Sequence, residues 1–508
     1  MGGEQLVGQW TFNGQVGYSQ SSEDTPGHIG GALFEGNDDF ADVGFGSTRK
    51  PRLNAGDDFY DPASFSLSEV EWAEENTEDT EKNIKLDAAR DYDLAGHAAQ
   101  VKFGGKLSRR KKDNDLEAWV YEDLGDFGLT DEQLNLGQFS KGEVDYGLGR
   151  FGPGISAKAI ERLLAGLNKA DFYDEEESRI NDFKMREDIN AAYLMNSVDI
   201  DDWRFIAGMR YEGTEFEAKG TGLRDDAYES ISSRKRYDHW LPGLHARYQL
   251  DANTQIRAAW TNSVVRPTFG QLAPGFVIDG DEASFGNPDL KPLESSNFDL
   301  GIERYLGRAG VVSAFAFYKD IDNFVYATDL AGSGAWADFS EANTFANGAS
   351  AKLYGIELAY SQKFDWLPAP WNGLLLGANA TFSRSDARIE GQGSKRSIDL
   401  PNQSDQVGNL TLGWENDKLS LRLAANYKSR YLAEVAAVDD KAHDLYADSQ
   451  LFVDFSAGYF LSDNLQLKFE AQNLTDESYY LYTGNRRYNA QYEEYGPTYK
   501  LGLTFTHF

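Results

Sequence analysis

Short and long polar connections alternate along this chain, and few folds obey such a rule. Short ones fall at 199–202, 250–253, 307–310, 415–417 and 461–464. Long ones fall near 122–178, 219–235, 267–294, 329–351, 389–404, 434–448 and 481–496. The segments between them alternate with period two. Trp203, Phe205, Ala207, Met209 and Tyr211 share one face, with Arg204, Gly208 and Arg210 on the other. Leu419, Leu421, Leu423, Ala425 and Tyr427 alternate with Lys418, Ser420, Arg422 and Asn426, and Leu465, Leu467, Phe469 and Ala471 with Gln466, Lys468, Glu470 and Gln472. Period two places each set on one side of a sheet. Charges at mid-strand suit a wet lumen. Many strands exceed the ~5–6 residues usual in soluble sheets and match tilted strands that cross a bilayer. A soluble sandwich shows the same alternation but has no reason to keep the parity of its connections. Short turns on one rim and long loops on the other belong to an outer-membrane barrel, with the short turns periplasmic and the long loops extracellular.

The expected fold is therefore all-β, an antiparallel transmembrane β-barrel. Sixteen strands can be placed, near 6–20, 82–93, 99–121, 178–199, 202–219, 236–250, 254–266, 295–306, 310–328, 352–365, 373–389, 405–415, 418–433, 449–461, 464–480 and 497–508. Residues 21–81 read either as one long external loop or as hiding a strand pair near 28–47. Inside the 122–178 loop, Ile155, Ile160, Leu163, Leu164 and Leu167 keep a helical period with Ser156 at the cap position, which predicts a small helix packing its own loop. Trp366 and Trp371 flank one short turn and Trp414 precedes another, where an interfacial girdle places aromatics.

Composition narrows the function. A net charge of -33 repels nucleic acid. The absence of Cys removes disulfides and Cys-based metal sites. No run of 18 apolar residues is present, which excludes a transmembrane helix and leaves a barrel open. The six His are scattered, and no Gly-x-Ser-x-Gly elbow or phosphate loop occurs. No catalytic residue and no cofactor is expected, so the chain is read as a non-enzyme.

The second half carries a resemblance. The segments VVRPTFGQLAPG (264–275), FGNPDLKPLESSNFDLGIERYLG (285–307), SAFAFYKDIDNFV (313–325), LYGIELAYSQKFDWLP (353–368), FEAQNLTDESYY (469–480) and YGPTYKLGLTFTHF (495–508) stand in order and together resemble the barrel of TonB-dependent receptors. The resemblance implies a twenty-two-strand barrel, of which about sixteen to eighteen strands are present here. It implies residence in the Gram-negative outer membrane, among lipid and lipopolysaccharide, as a monomer. It further implies uptake of a small scarce nutrient, of the carbohydrate or iron-chelate class, with energy delivered by TonB through a plug domain. No plug, TonB-contacting box or signal peptide is recognisable, so residues 1–508 are read as the barrel domain of a receptor truncated at its N-terminal side.

Candidate residues follow from loop position. Trp336 and Phe339 lie in an otherwise small, polar loop, and Tyr482, Arg486, Arg487 and Tyr488 cluster in the last one. Aromatic faces stack on sugar rings and Arg forks bind carboxylates, so both groups are substrate-binding candidates. Loop packing and charge balance are the simpler reading of both. Asp279, Asp281 and Glu282 offer carboxylates for Ca²⁺, though without the spacing of a calcium loop, and a solvated acidic turn is the simpler reading. Terminal Phe508 resembles the aromatic read by the barrel-assembly machinery. Two other functions stay open: a smaller closed barrel acting as a passive porin, and a soluble secreted β-rich enzyme or binding protein.

Overall fold

The computed structural model describes residues 1–506 except 47–48, 225–226, 308–309, 333 and 392–393. Seventeen strands form one meandering wall: β1 (Gly2–Val7), β2 (Trp10–Gly36), β3 (Phe65–Leu94), β4 (His97–Tyr121), β5 (Phe183–Ile200), β6 (Trp203–Arg224), β7 (Ala227–Asp251), β8 (Thr254–Val265), β9 (Leu293–Tyr305), β10 (Gly310–Asp322), β11 (Ser350–Lys363), β12 (Leu374–Gly391), β13 (Gln406–Glu415), β14 (Leu419–Lys428), β15 (Gln450–Ser462), β16 (Leu465–Gln472) and β17 (Thr498–Phe505). Each pairs antiparallel with the next. Among the described residues, β1 has no neighbour but β2, and β17 none but β16. Both run from the loop rim to the turn rim, so the two free edges are parallel to one another.

The register puts the apolar residues on one face throughout. Phe103 stands opposite Leu194, Leu194 opposite Met209, Ile356 opposite Phe382, Leu412 opposite Leu423, and Phe469 opposite Leu501. These side chains are exposed, Leu194 at 58% for example. In water so extended an apolar belt would be an aggregation surface; against hydrocarbon it is the solvent-matched face of a barrel. Aromatics mark its borders. Trp203 stacks on Phe205 and meets Tyr248 at the turn rim, Trp366 and Trp371 lie exposed on the same rim, and Tyr211 meets Trp240 on the loop side.

Strand lengths are uneven. β2, β3 and β4 contain 27, 30 and 25 residues, and β6 and β7 contain 22 and 25, whereas β13 and β14 have 10 each. At ~3.3 Å per residue β3 is roughly 100 Å long, so even at a strong tilt it rises far beyond an apolar band ~25 Å tall. The stretch 21–81 is thus neither one loop nor a hidden pair at 28–47. β2 continues through it to Gly36, β3 begins at Phe65, and the short pairing of Gly44–Phe45 with Leu53–Asn54 and two 3-10 turns, Asp57–Tyr60 and Pro62–Ser64, lie between. Apolar alternation fades there because charged side chains take both faces over Glu74–Glu81, while Leu67 and Val70 pack under the loops instead of facing lipid. The expected loop 219–235 is likewise the upper part of the β6–β7 hairpin. The expected strand 6–20 divides at Gly8, whose φ of 64° makes the β1–β2 turn. Three expected strands break at the loop side of the wall, after Asp322 with Asn323 at φ 57°, at 429–430, and after Gln472 with Asn473 at φ 54°.

The buried apolar clusters all sit under the external loops. Helix α1 (Ala157–Leu164) inserts Ile160 and Leu164 among Leu67, Val70, Tyr121 and Phe139, as a loop-packing helix should. Ser156 occupies its N-cap position but caps only through its carbonyl, which accepts from the amides of Ala159 at 2.9 Å and Ile160 at 3.3 Å; its side chain makes no cap hydrogen bond. Two-solvent architecture predicts unequal costs for the two faces. Leu194→Arg on the lipid side should destabilise the folded barrel by roughly 2–4 kcal/mol, while Thr411→Arg on the lumen side should change it by less than about 0.5 kcal/mol. Unfolding from lipid vesicles in urea measures both.

Candidate functional site

The loops roof the wide end of the wall with a second layer of strands. The hairpin Phe276–Asp279 and Glu282–Phe285 adds parallel to the end of β6, with Gly222 opposite Phe276. Strand Glu341–Asn347 adds parallel to the hairpin, and Val325–Asp329 adds to that. Side chains lock the layer. The Asp329 carboxylate accepts from the amides of Ala331 and Ala342, each at 2.8 Å. Asn287 donates to the Phe345 carbonyl at 2.8 Å, and Asn347 donates to the carbonyls of Lys291 at 3.0 Å and Asn323 at 2.8 Å. Gly286 permits a close approach, because a Cβ there would collide with the Ala273 carbonyl.

Beneath this roof lies a vestibule of about 1280 Å³. Its walls come from β2, β3 and β4, helix α2 (Glu175–Ile180), the 270–286 segment, the Val325–Asn347 hairpin and residues 434–436. Four aromatic rings, Phe183, Phe276, Phe285 and Phe345, line it together with the carboxylates of Glu23, Glu75, Glu177, Asp329, Glu341 and Glu434. Among the described residues none of those six carboxylates forms an ion pair, unlike Asp79, Asp188, Glu212 and Glu215 on the wall below. The single lysine, Lys112, lies 5.9 Å from the centre of the Phe183 ring. Just outside the wall strands, burial holds the Asp182 carboxyl above the usual carboxylate range, against the amide of Leu116 that donates to it at 2.9 Å; Asp115 and Glu117 add repulsion.

The residues nominated from sequence are placed elsewhere. Trp336 stacks on Phe285 at 4.5 Å and 20° and meets Phe339 edge-on at 4.9 Å. Both pack behind the vestibule wall against Ile278, Ala283 and Ala342. The last-loop group divides. Tyr482 is buried and stacks on Tyr446, the Arg486 guanidinium pairs with Asp448, and Arg487 and Tyr488 project outward. Asp279, Asp281 and Glu282 surround the Gly280 turn, where the Asp281 carbonyl accepts from the Ser340 amide at 2.8 Å. Among the described residues no group of three His, Asp or Glu side chains takes a metal-holding arrangement. Phe508 lies outside the described residues. The vestibule residues that sequence reasoning missed come from segments far apart in the chain, and no local motif joins them.

One ion pair fixes the vestibule floor at residues 434–436. Arg396 reaches Asp444 with two bonds, at 2.7 and 2.9 Å, and donates also to the Ala437 carbonyl at 2.9 Å. Asp444 is 1% exposed and accepts in addition from the Ala436 amide at 3.3 Å. Removing one partner strands the other charge in a buried site. Arg396→Ala should therefore cost the loop assembly about 3–5 kcal/mol, read as new protease cleavage within 429–449 while the wall keeps its circular-dichroism spectrum.

Comparison with known proteins agrees with this architecture. A family model described as TonB dependent receptor-like, beta-barrel matches residues 9–474. The iron-regulated outer membrane virulence protein of Vibrio cholerae serotype O1 is 26% identical over 275 residues, 52% of this chain and 39% of that protein. The vitamin B12 transporter BtuB of Photobacterium profundum is 24% identical over 318 residues, 61% of this chain and 42% of that protein. Among solved structures, the ferric-catecholate import receptor Fiu of E. coli K12 superposes with a TM-score of 0.62 at 13% identity, covering 98% of this chain and 62% of the other. The siderophore receptor PiuA of Acinetobacter baumannii superposes at 0.60 with 15% identity, covering 99% and 63%. The chain thus spans about two fifths of the length of these curated relatives.

Proposed function

We propose, from the premise that this chain belongs to the TonB-dependent receptor β-barrel family and sits in the Gram-negative outer membrane, that it forms the outer wall and ligand-receiving mouth of an active nutrient receptor. The observation that carries the reading is the roofed vestibule on the loop side of a lumen-facing polar wall. A nutrient enters between the loops, is held against the four phenylalanine rings, and passes down the lumen when energy from TonB displaces whatever fills it. The relatives' names point to iron chelates and vitamin B12 as cargo for those proteins. In this chain the unpaired carboxylates oppose a polyanion, and the flat apolar rings suit a neutral ligand, so the carbohydrate class fits this vestibule better than an anionic chelate does. Binding and passage are the chemistry proposed.

The parity of the wall bears on the porin reading. An all-antiparallel barrel closes only with an even number of strands, and seventeen strands leave two edges running the same way. We infer that the functional barrel includes an odd number of further strands, five if it reaches the twenty-two of the large plugged transporters, and that the lumen of the whole protein is plugged.

Phe276→Ala with Phe285→Ala in the full-length protein should weaken nutrient binding about tenfold, since each aromatic contact contributes ~0.5–1.5 kcal/mol. Uptake of the labelled nutrient should fall to background in a strain lacking TonB. Uptake that persists without TonB would sink the receptor reading in favour of a passive channel.

A further inference from the structure

The vestibule carries one sign of charge on every side. Glu23 and Glu75 line it from the wall, Glu177 from α2, Asp329 and Glu341 from the roof and Glu434 from the floor. A cleft lined by one sign of charge focuses the field of the whole chain and concentrates the opposite sign inside it. These carboxylates are also spread out, since among the described residues no three acidic or His side chains take a metal-holding arrangement. Dispersed carboxylates fit several separate cations better than one metal ion. The rings have the same preference. The Lys112 ammonium lies 5.9 Å from the centre of the Phe183 ring and the Arg224 guanidinium 5.5 Å from that of Phe276, both within the ~6 Å reach of a cation–π contact. Trp336 stacks on Phe285 at 4.5 Å and leaves the other face of that ring to the cavity. Thr344 stands opposite Thr328 on the roof hairpin and lines the same cavity. It is 5% exposed, and among the described residues its hydroxyl has no hydrogen-bond partner. The cavity, at about 1280 Å³, exceeds the ~300–1,000 Å³ of pockets that enclose a drug-sized molecule, so it suits an oligomer.

We propose, resting on the carbohydrate reading above, that the cargo is an oligosaccharide whose sugars carry free amino groups. The apolar faces of the sugars stack on the phenylalanine rings, and the protonated amines donate charge-assisted hydrogen bonds to the carboxylates. A hydroxyl or amine of the ligand against the roof meets the Thr344 hydroxyl, whose lack of a partner is otherwise costly. The rings alone accept any neutral sugar; the carboxylates select among sugars. A neutral oligosaccharide packed on the same rings strips water from the carboxylates and returns no charge to them. An oligosaccharide bearing carboxylates of its own meets direct repulsion.

The full-length protein in detergent can be titrated calorimetrically with the tetramer of glucosamine, its fully N-acetylated counterpart and hexalysine. The two tetramers share ring faces and length and differ in charge at nitrogen. The free-amine tetramer should bind about tenfold more tightly at about 50 mM NaCl, and the advantage should shrink to about twofold at about 500 mM, where screening is strong. Glu75→Gln with Glu434→Gln removes two charges with little change of shape. It should weaken the free-amine tetramer about tenfold and leave the acetylated one within about twofold. Heat-modifiable gel migration reports whether the variant is folded, and the comparison of the two tetramers on the unaltered protein needs no variant. Acetylated tetramer binding as tightly as the free amine overturns the amine inference and leaves the carbohydrate reading standing. Binding of neither tetramer overturns both. A folded variant that holds the free-amine tetramer as tightly as before overturns the role given to the carboxylates. Hexalysine competing with equal affinity overturns the saccharide cargo in favour of a cationic peptide. Dependence of uptake on TonB is judged separately.

Discussion

Hydrocarbon offers no partner to a peptide group, and everything in this protein answers to that. Each N–H and C=O crossing the bilayer has to be met by a neighbouring strand, which is why the wall is a continuous meander with no gap from β1 to β17. The same demand makes the two outer edges conspicuous. A row of unpaired backbone groups is tolerable against water and costly against lipid, and among the described residues the outer edges of β1 and β17 present such rows. The lumen face, by contrast, is free to carry Arg, Lys and Glu because water reaches it.

Two solvents divide the stabilisation. Within the membrane the wall is held by ladder hydrogen bonds and by apolar side chains already in a matching medium, with no packed interior. Outside it, the loops face water and follow the rules of soluble domains. They bury apolar clusters, a short helix and the Arg396–Asp444 pair. The vestibule is built where these regimes meet. Its position is set by the wall, while its lining is set by loop packing, and this is why a buried ion pair among the loops, bonded to the Ala436 amide, governs the floor at 434–436.

The sequence disclosed the wall because period two and the parity of connections are written in adjacent residues. β5 to β17 follow the expected order and turn-side ends, apart from the upper half of the β6–β7 hairpin, while β10, β14 and β16 stop at Asp322, Lys428 and Gln472, five to eight residues before the expected ends. Legibility failed where the solvent changed. The stretch Glu69–Glu81 is a strand with acids on both faces, so no alternation betrays it. The site failed for another reason. Trp336 and Phe339 stand out in the chain, but exposed aromatics in a loop serve its packing as readily as a ligand. Glu75, Phe276, Phe285 and Glu434 are unremarkable locally and become neighbours only when four separate connections fold over one another.

The uneven height of the wall has a mechanical consequence. On the side of β2 to β7 the ladder continues unbroken from the membrane to its upper end, so that side behaves as a fixed jaw. On the side of β13 to β17 the strands stop near the membrane, and the sheet above, built from Tyr431–Glu434, Leu445–Ala447, Ser478–Thr483 and Asn489–Glu494, is joined to them by four short segments, at 429–430, 448–449, 473–477 and 495–497. That second sheet is the other jaw, and it is braced to the tall side: Glu494 pairs with Lys50, and the Asn489 side chain donates to the Arg49 carbonyl. The connection of β2 to β3 is therefore a strap across the mouth, and the low side cannot swing without breaking those bonds.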